Sequence, residues 1–110
     1  MATLTVYTSD DAGTAVTFAA AAGGGDQMPN NGKTILMVTN GGGGSIDVTV
    51  TPQATVFGGY SLANVVVAVA AGATKILGPY APEYFNNSSG RAVITYSGVT
   101  SVTVAALGLP

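Results

Sequence analysis

Neither cysteine nor histidine occurs anywhere in the chain. Without cysteine there is no disulfide framework and no thiolate metal site. Without histidine, the commonest general base and the commonest metal ligand are both missing. Charge is scarce as well. Only 7% of the 110 residues are charged, where an ordinary soluble domain carries about 25%. Lys33, Lys75 and Arg91 are too few to form a basic stripe, so nucleic-acid binding has little electrostatic support. No apolar run approaches the ~20 residues a membrane helix needs; the longest, "LANVVVAVAAGA", is about twelve residues. The N-terminus "MATLTVYTSDD" shows no basic segment followed by an apolar one, so no signal peptide is expected.

What is present is apolar and small. Hydrophobic residues make up 47% of the chain, which argues against disorder. Such a chain must keep soluble on Thr, Ser, Asn and Gly, or cover much of its surface with other protein, since sparse charge promotes association. One domain over residues 1–110 is the natural unit, because neither side of the four-glycine run is large enough to fold alone.

The pattern along the chain is short apolar or alternating runs closed by Gly, Asn, Pro or Asp. Expected strands are Leu4 to Tyr7, Thr14 to Ala19, Ile35 to Asn40, Ser45 to Thr51, Tyr60 to Val69, Thr74 to Leu77, Ala92 to Tyr96 and Val102 to Leu107. In Ser45–Thr51, Ile46, Val48 and Val50 face one way and Asp47, Thr49 and Thr51 the other. Ile35 to Asn40 is apolar on both sides, so both of its faces should be covered. No segment shows a helical period. The expected architecture is all-β: a single-domain antiparallel β-sandwich, jelly-roll-like or Ig-like, of about eight short strands.

Candidates for chemistry are few. Gly32-Lys33-Thr34 matches the tail of a phosphate-binding loop, but the required leading glycine is replaced by Gln27, and Pro29 removes a donor. A β-branched run follows where a helix would have to open, so a turn feeding a strand is the better reading. The acids Asp10, Asp11, Asp26, Asp47 and Glu83 offer no recognisable pair or calcium-loop spacing. Asn86-Asn87-Ser88-Ser89 holds overlapping glycosylation sequons that are better explained as a polar turn. No catalytic, cofactor-binding or metal-ligating residue is therefore expected, and no enzyme.

The segment Gly78 to Gly90 gathers Pro79, Tyr80, Pro82, Glu83, Tyr84 and Phe85. Aromatics in a proline-stiffened loop suit a protein contact, because little entropy is lost on docking. Tyr80, Glu83 and Tyr84 are the expected contact residues, with Phe85 plugging the end of the sandwich. The C-terminal Leu107-Gly108-Leu109-Pro110 is a second candidate surface, and the N-terminal strand could add to a partner's sheet edge.

The stretches "MPNNGKTILMVTNGG", "SIDVTVTPQATVFGGYSL" and "AGATKILGPYAPEYFNNSSGRAVITYSGVTSVTVAAL" resemble a family of small head proteins of tailed bacteriophages. The shared pattern is carried here by Pro29 to Thr34, Asn40 to Gly42, Gly78 to Tyr80 and Thr95 to Ser97. The resemblance implies a β-sandwich similar to capsid decoration, or cement, proteins. Such a protein would sit on the virion surface and bind the major capsid protein. It would also associate with itself, with a homotrimer expected. A glycan- or cell-surface-binding module of a head fibre or tail, and a head–tail connector or tail-tube protein, are the alternative expectations.

Overall fold

The computed structural model describes residues 2–53, 55–56, 60–61 and 63–109. Among them the strands are β1 (Ala2–Thr3), β2 (Val6–Thr8), β3 (Ala19–Ala20), β4 (Asp26–Pro29), β5 (Thr34–Asn40), β6 (Ile46–Thr51), β7 (Thr55–Val56), β8 (Tyr60–Ser61), β9 (Val65–Val69), β10 (Thr74–Leu77), β11 (Arg91–Tyr96) and β12 (Val102–Gly108). One helical turn, α1 (Pro82–Phe85), interrupts the aromatic loop. A back sheet runs β1-β4-β11-β6-β9. A front sheet runs β10-β5-β12, and the far side of β12 is shared by β2 and β3. The molecule is 20 Å deep against 42 and 36 Å in the other directions, which suits two layers packed face to face.

The connectivity decides between the two expected sandwiches. From β3 the chain passes front, back, front, back (β3, β4, β5, β6), then stays in the back for β9. It ends front, back, front (β10, β11, β12). This gives two antiparallel four-stranded sheets, β3-β12-β5-β10 and β4-β11-β6-β9, joined as in a jelly roll.

The N-terminus is added to that frame. β1 lies parallel to β4, Leu4 is buried where the chain crosses between the sheets, and β2 lies parallel to β12. The sandwich is thus antiparallel except at this crossing segment, which the sequence reading took as one strand over Leu4 to Tyr7.

Alternation explains the core. Thr34, Leu36, Val38 and Asn40 of β5 point inward, as do Val48 and Val50 of β6, Ala92 and Ile94 of β11, and Val102, Val104 and Ala106 of β12. Fully burying each Val, Leu or Ile stabilises the fold by about 1.5–3 kcal/mol.

Four expectations need correction. Thr14 to Phe18 is irregular and exposed rather than a strand. The edge of β12 it would have joined is already occupied by β2 at Ala106–Gly108, leaving room only for Ala19–Ala20 at Thr103–Val104. Asp26–Pro29, where no strand is expected from the sequence, is β4. Its turn-forming residues are overridden because Met28 fills the core and Pro29 sits only at the strand's last position. Tyr60 to Val69 is divided between β8 and β9, and Leu62 lies outside the described residues. Finally, a helical turn does occur, begun by Pro82 at a position where proline suits a helix start.

The four glycines after Asn40 are not equivalent. A Cβ on Gly41 would stand 2.9 Å from the Ser101 carbonyl oxygen, and one on Gly42 3.0 Å from that of Thr100. Nothing lies within 4 Å of a Cβ on Gly43 or Gly44. Gly41→Ala should therefore lose about 1–3 kcal/mol by overpacking. Gly43→Ala should stay within about 0.5 kcal/mol of the parent. Urea midpoints of the two variants check this, and equal midpoints would contradict it.

Candidate interaction surface

The motifs that carry the family resemblance turn out to be scaffold. Asn31 Oδ1 accepts the backbone N–H of Lys33, and Gly32 takes φ +86°. The Gly32-Lys33-Thr34 stretch is thus a turn entering β5, with no helix to support a phosphate. Asn30 Nδ2 donates to the Tyr80 carbonyl at 3.1 Å and to Asn86 Oδ1 at 2.9 Å, while Asn86 Nδ2 returns a bond to the Asn30 carbonyl at 2.7 Å. This pair ties the aromatic loop to the β4–β5 turn. Asn87 Oδ1 accepts from the backbone of Ser89 and Arg91, so the sequon region is a capped turn.

Tyr80 was expected as a contact residue, and its burial corrects that. It is 8% exposed, its ring centroid 5.0 Å from that of Phe85. Phe85 packs beside it against the core, as a plug should. The loop is pulled in by the Asn30 bond to the Tyr80 carbonyl, and the ring follows it into the end of the sandwich. Glu83 and Tyr84 remain exposed on α1. Leu107 is half-buried and Leu109 exposed. Pro110 lies outside the described residues. Structure brings the remaining candidates to one end: Pro82 packs 3.4 Å from where a Cβ of Gly32 would be, and the Leu109 N–H donates to the Lys33 carbonyl.

The surface the sequence reading missed is the outer face of the front sheet. Register places Ile76 beside Met37, Met37 beside Ala105, and Leu107 between Ile35 and Tyr7. These side chains share the outward row, because Leu36, Val38, Val104 and Ala106 point in. Ile76 and Leu109 are each 59% exposed. The irregular segment before β3 adds Val16, also exposed. Val16, Ile35, Leu107 and Leu109 line a cleft of about 250 Å³, with Asp10 at its rim.

The back sheet's outer face is different in kind. It presents Thr49, Thr51, Thr95, Asp47 and Gln27, the last accepting a 3.4 Å bond from Arg91. Most of this face is threonine and charge, with Val66 at its β9 edge an exposed apolar exception. The signal for the apolar face was in Ile35–Val38, whose both-sided character implied cover on both faces; within the single chain the outer side chains Ile35 and Met37 are only half-buried.

Ionisable groups inside the molecule serve structure. Asp26 is buried, accepts the Tyr96 hydroxyl at 2.7 Å and accepts the Ala22 N–H at 3.3 Å. Burial, the bond to Asp26 and the negative charge of Asp26 together hold the Tyr96 phenol far above its ordinary value of 10.0. Burial alone raises Tyr80 from the same value.

Both shifts favour the neutral phenol in the folded state. Their contribution is complete below pH ~10 and is lost as pH climbs beyond it towards the folded-state values. Tyr96→Phe should therefore be less stable at neutral pH, with one donor to Asp26 gone, yet lose less stability from pH ~9 to ~11 than the parent. Melting temperatures across that range decide it; parallel curves would contradict the burial of Tyr96.

Among the described residues no helix is long and apolar enough to cross a membrane, and no three of Asp, Glu, His and Cys gather as a metal site. No family model, curated protein or solved structure matches the chain.

Proposed function

We propose that this protein is a structural component of a bacteriophage virion that decorates the outer surface of the capsid. The front face lies against the major capsid protein and bridges neighbouring shell subunits. One observation carries the reading: a jelly roll with almost no charge sets Ile35, Met37, Ile76 and Leu107 in one outward row on the front sheet, where Ile76 and the adjoining Leu109 are each 59% exposed. Contiguous exposed apolar patches mark interaction surfaces.

The action is mechanical. A standard interface buries about 800 Å² per partner, a modest share of the 5784 Å² this chain exposes. Each copy adds that area to contacts between shell subunits, and many copies sum around the shell. Glu83 and Tyr84 on α1 stand at the rim of the contact, at the end where Leu109 emerges.

A quantitative gel of purified particles tests the reading, as copies of this chain relative to the major shell protein. Many copies around the shell support decoration. A single ring's worth would transfer the protein to a head–tail connector or tail tube. Absence from particles together with binding on a glycan array would transfer it to a fibre or tail module.

A further inference from the structure

We propose that the free edge of β9 pairs with the same edge of a second copy of this chain, antiparallel about a two-fold axis. The pairing would join two back sheets into one. This contact is separate from whatever the front face covers, and it stands or falls without the capsid.

The sheet edges are not alike. β1 is only two residues long, β10 carries Lys75, and the outer side of β12 is occupied by the short pieces β2 and β3. Short strands and lysine are the usual ways of protecting an edge. β9 has neither. Its five residues, Val65-Val66-Val67-Ala68-Val69, contain no charge, no proline and no glycine. Among the described residues its only strand partner is β6, and no further backbone bond reaches Val65 to Ala68. Val66 is 57% exposed, and even the inward Val65 and Val67 are only half-buried. An extended β-branched edge of this kind is a template for another strand.

Self-complementarity identifies the partner. With Val67 opposite its own symmetry mate, all five residues of β9 fall in register, the Val69 carbonyl already being bonded by Asn40 Nδ2. The inward row then meets the inward row, Val65 against Val69. On the outward row each Val66 meets an Ala68, a large residue against a small one. A two-fold contact uses the same patch on both copies, so no second surface is needed. With no charge on the strand, no like-charge pair opposes it.

The register is tested by two double variants that share Val66→Lys, a change at an exposed, outward position. V66K/A68K sets lysine directly against lysine twice across the axis, which is destabilising. V66K/A68E sets lysine against glutamate twice. Sedimentation equilibrium from roughly micromolar to millimolar concentration should show the parent and V66K/A68E as dimers and V66K/A68K as a monomer. Ile76→Lys, on the front face, should dimerise like the parent. A parent monomeric over the whole range, two double variants that behave alike, or a dimer abolished by Ile76→Lys would overturn the proposal.

Discussion

Replacing Ile76 and Leu109 together by lysine should clear the protein from purified particles while leaving its fold intact. Both side chains stand outward on the front sheet and are 59% exposed, so neither supports the core of the single chain. Covering what remains exposed is worth about 1–1.5 kcal/mol for each, scaled from the burial of a whole aliphatic side chain. Lysine removes that gain and adds an ammonium group that must be desolvated. A combined loss of about 3 kcal/mol lowers affinity roughly 100-fold.

Unfolding should barely notice, because exposed substitutions away from special features stay within about 0.5 kcal/mol. The matched control is Thr51→Lys with Thr95→Lys on the back face, two positions that are not cross-strand partners, which should leave occupancy unchanged. Particle-bound copies by gel and melting temperature of the free protein measure the two effects separately. Equal occupancy for the front-face and back-face variants would remove the front sheet from the proposed contact.

Much of the fold was legible because alternation is a local signal. Val48 and Val50 against Asp47 and Thr49 need no knowledge of the rest of the chain to declare a half-buried strand. The turn at Asn30-Asn31-Gly32 was legible for a similar reason: Gly32 takes a positive φ that glycine accepts at no steric cost. Elements made by tertiary context were not. Asp26–Pro29 has poor strand residues and becomes β4 because β11 pairs with it and Met28 is buried. Thr14–Phe18 has the right alternation and finds no free edge to join.

The candidate surface failed in an instructive way. Tyr80 looked like a contact residue by composition, but the Asn30–Asn86 bonds that draw its loop inward join residues far apart in the chain. Conversely, the apolar outer row draws single residues from separate strands, Ile76 from β10, Ile35 and Met37 from β5, Leu107 from β12. No window of sequence contains it; only register assembles it.

The largest effects on stability should come from substitutions at Asn40, of which Asn40→Ala is the simplest. Asn40 is fully buried at the end of β5. Its Nδ2 donates to the Gly44 carbonyl at 2.8 Å and to the Val69 carbonyl at 3.0 Å, and its Oδ1 accepts the Gly42 N–H at 3.0 Å. Its backbone exchanges bonds with Gly72 and Ala73. The side chain therefore fastens the glycine link to the end of β9, while the backbone holds the turn into β10. Removing it leaves a cavity and unpaired polar groups, at about 1 kcal/mol or more for each bond and about 3–4 kcal/mol in all. A domain of this size holds only about 5–15 kcal/mol, so the melting temperature should fall by roughly 10–20 °C.

Asn40→Asp should be worse, because a buried carboxylate would face two carbonyl oxygens with no proton to offer them. The Asn40 side chain is turned into the core, away from the outer face of the front sheet. Below its own melting temperature, Asn40→Ala should accordingly bind particles as the parent does. Lost occupancy in a fully folded Asn40→Ala sample would show that the Asn-Gly-Gly motif takes part in the contact itself; a fall of less than about 1 kcal/mol would show that it is not a clamp.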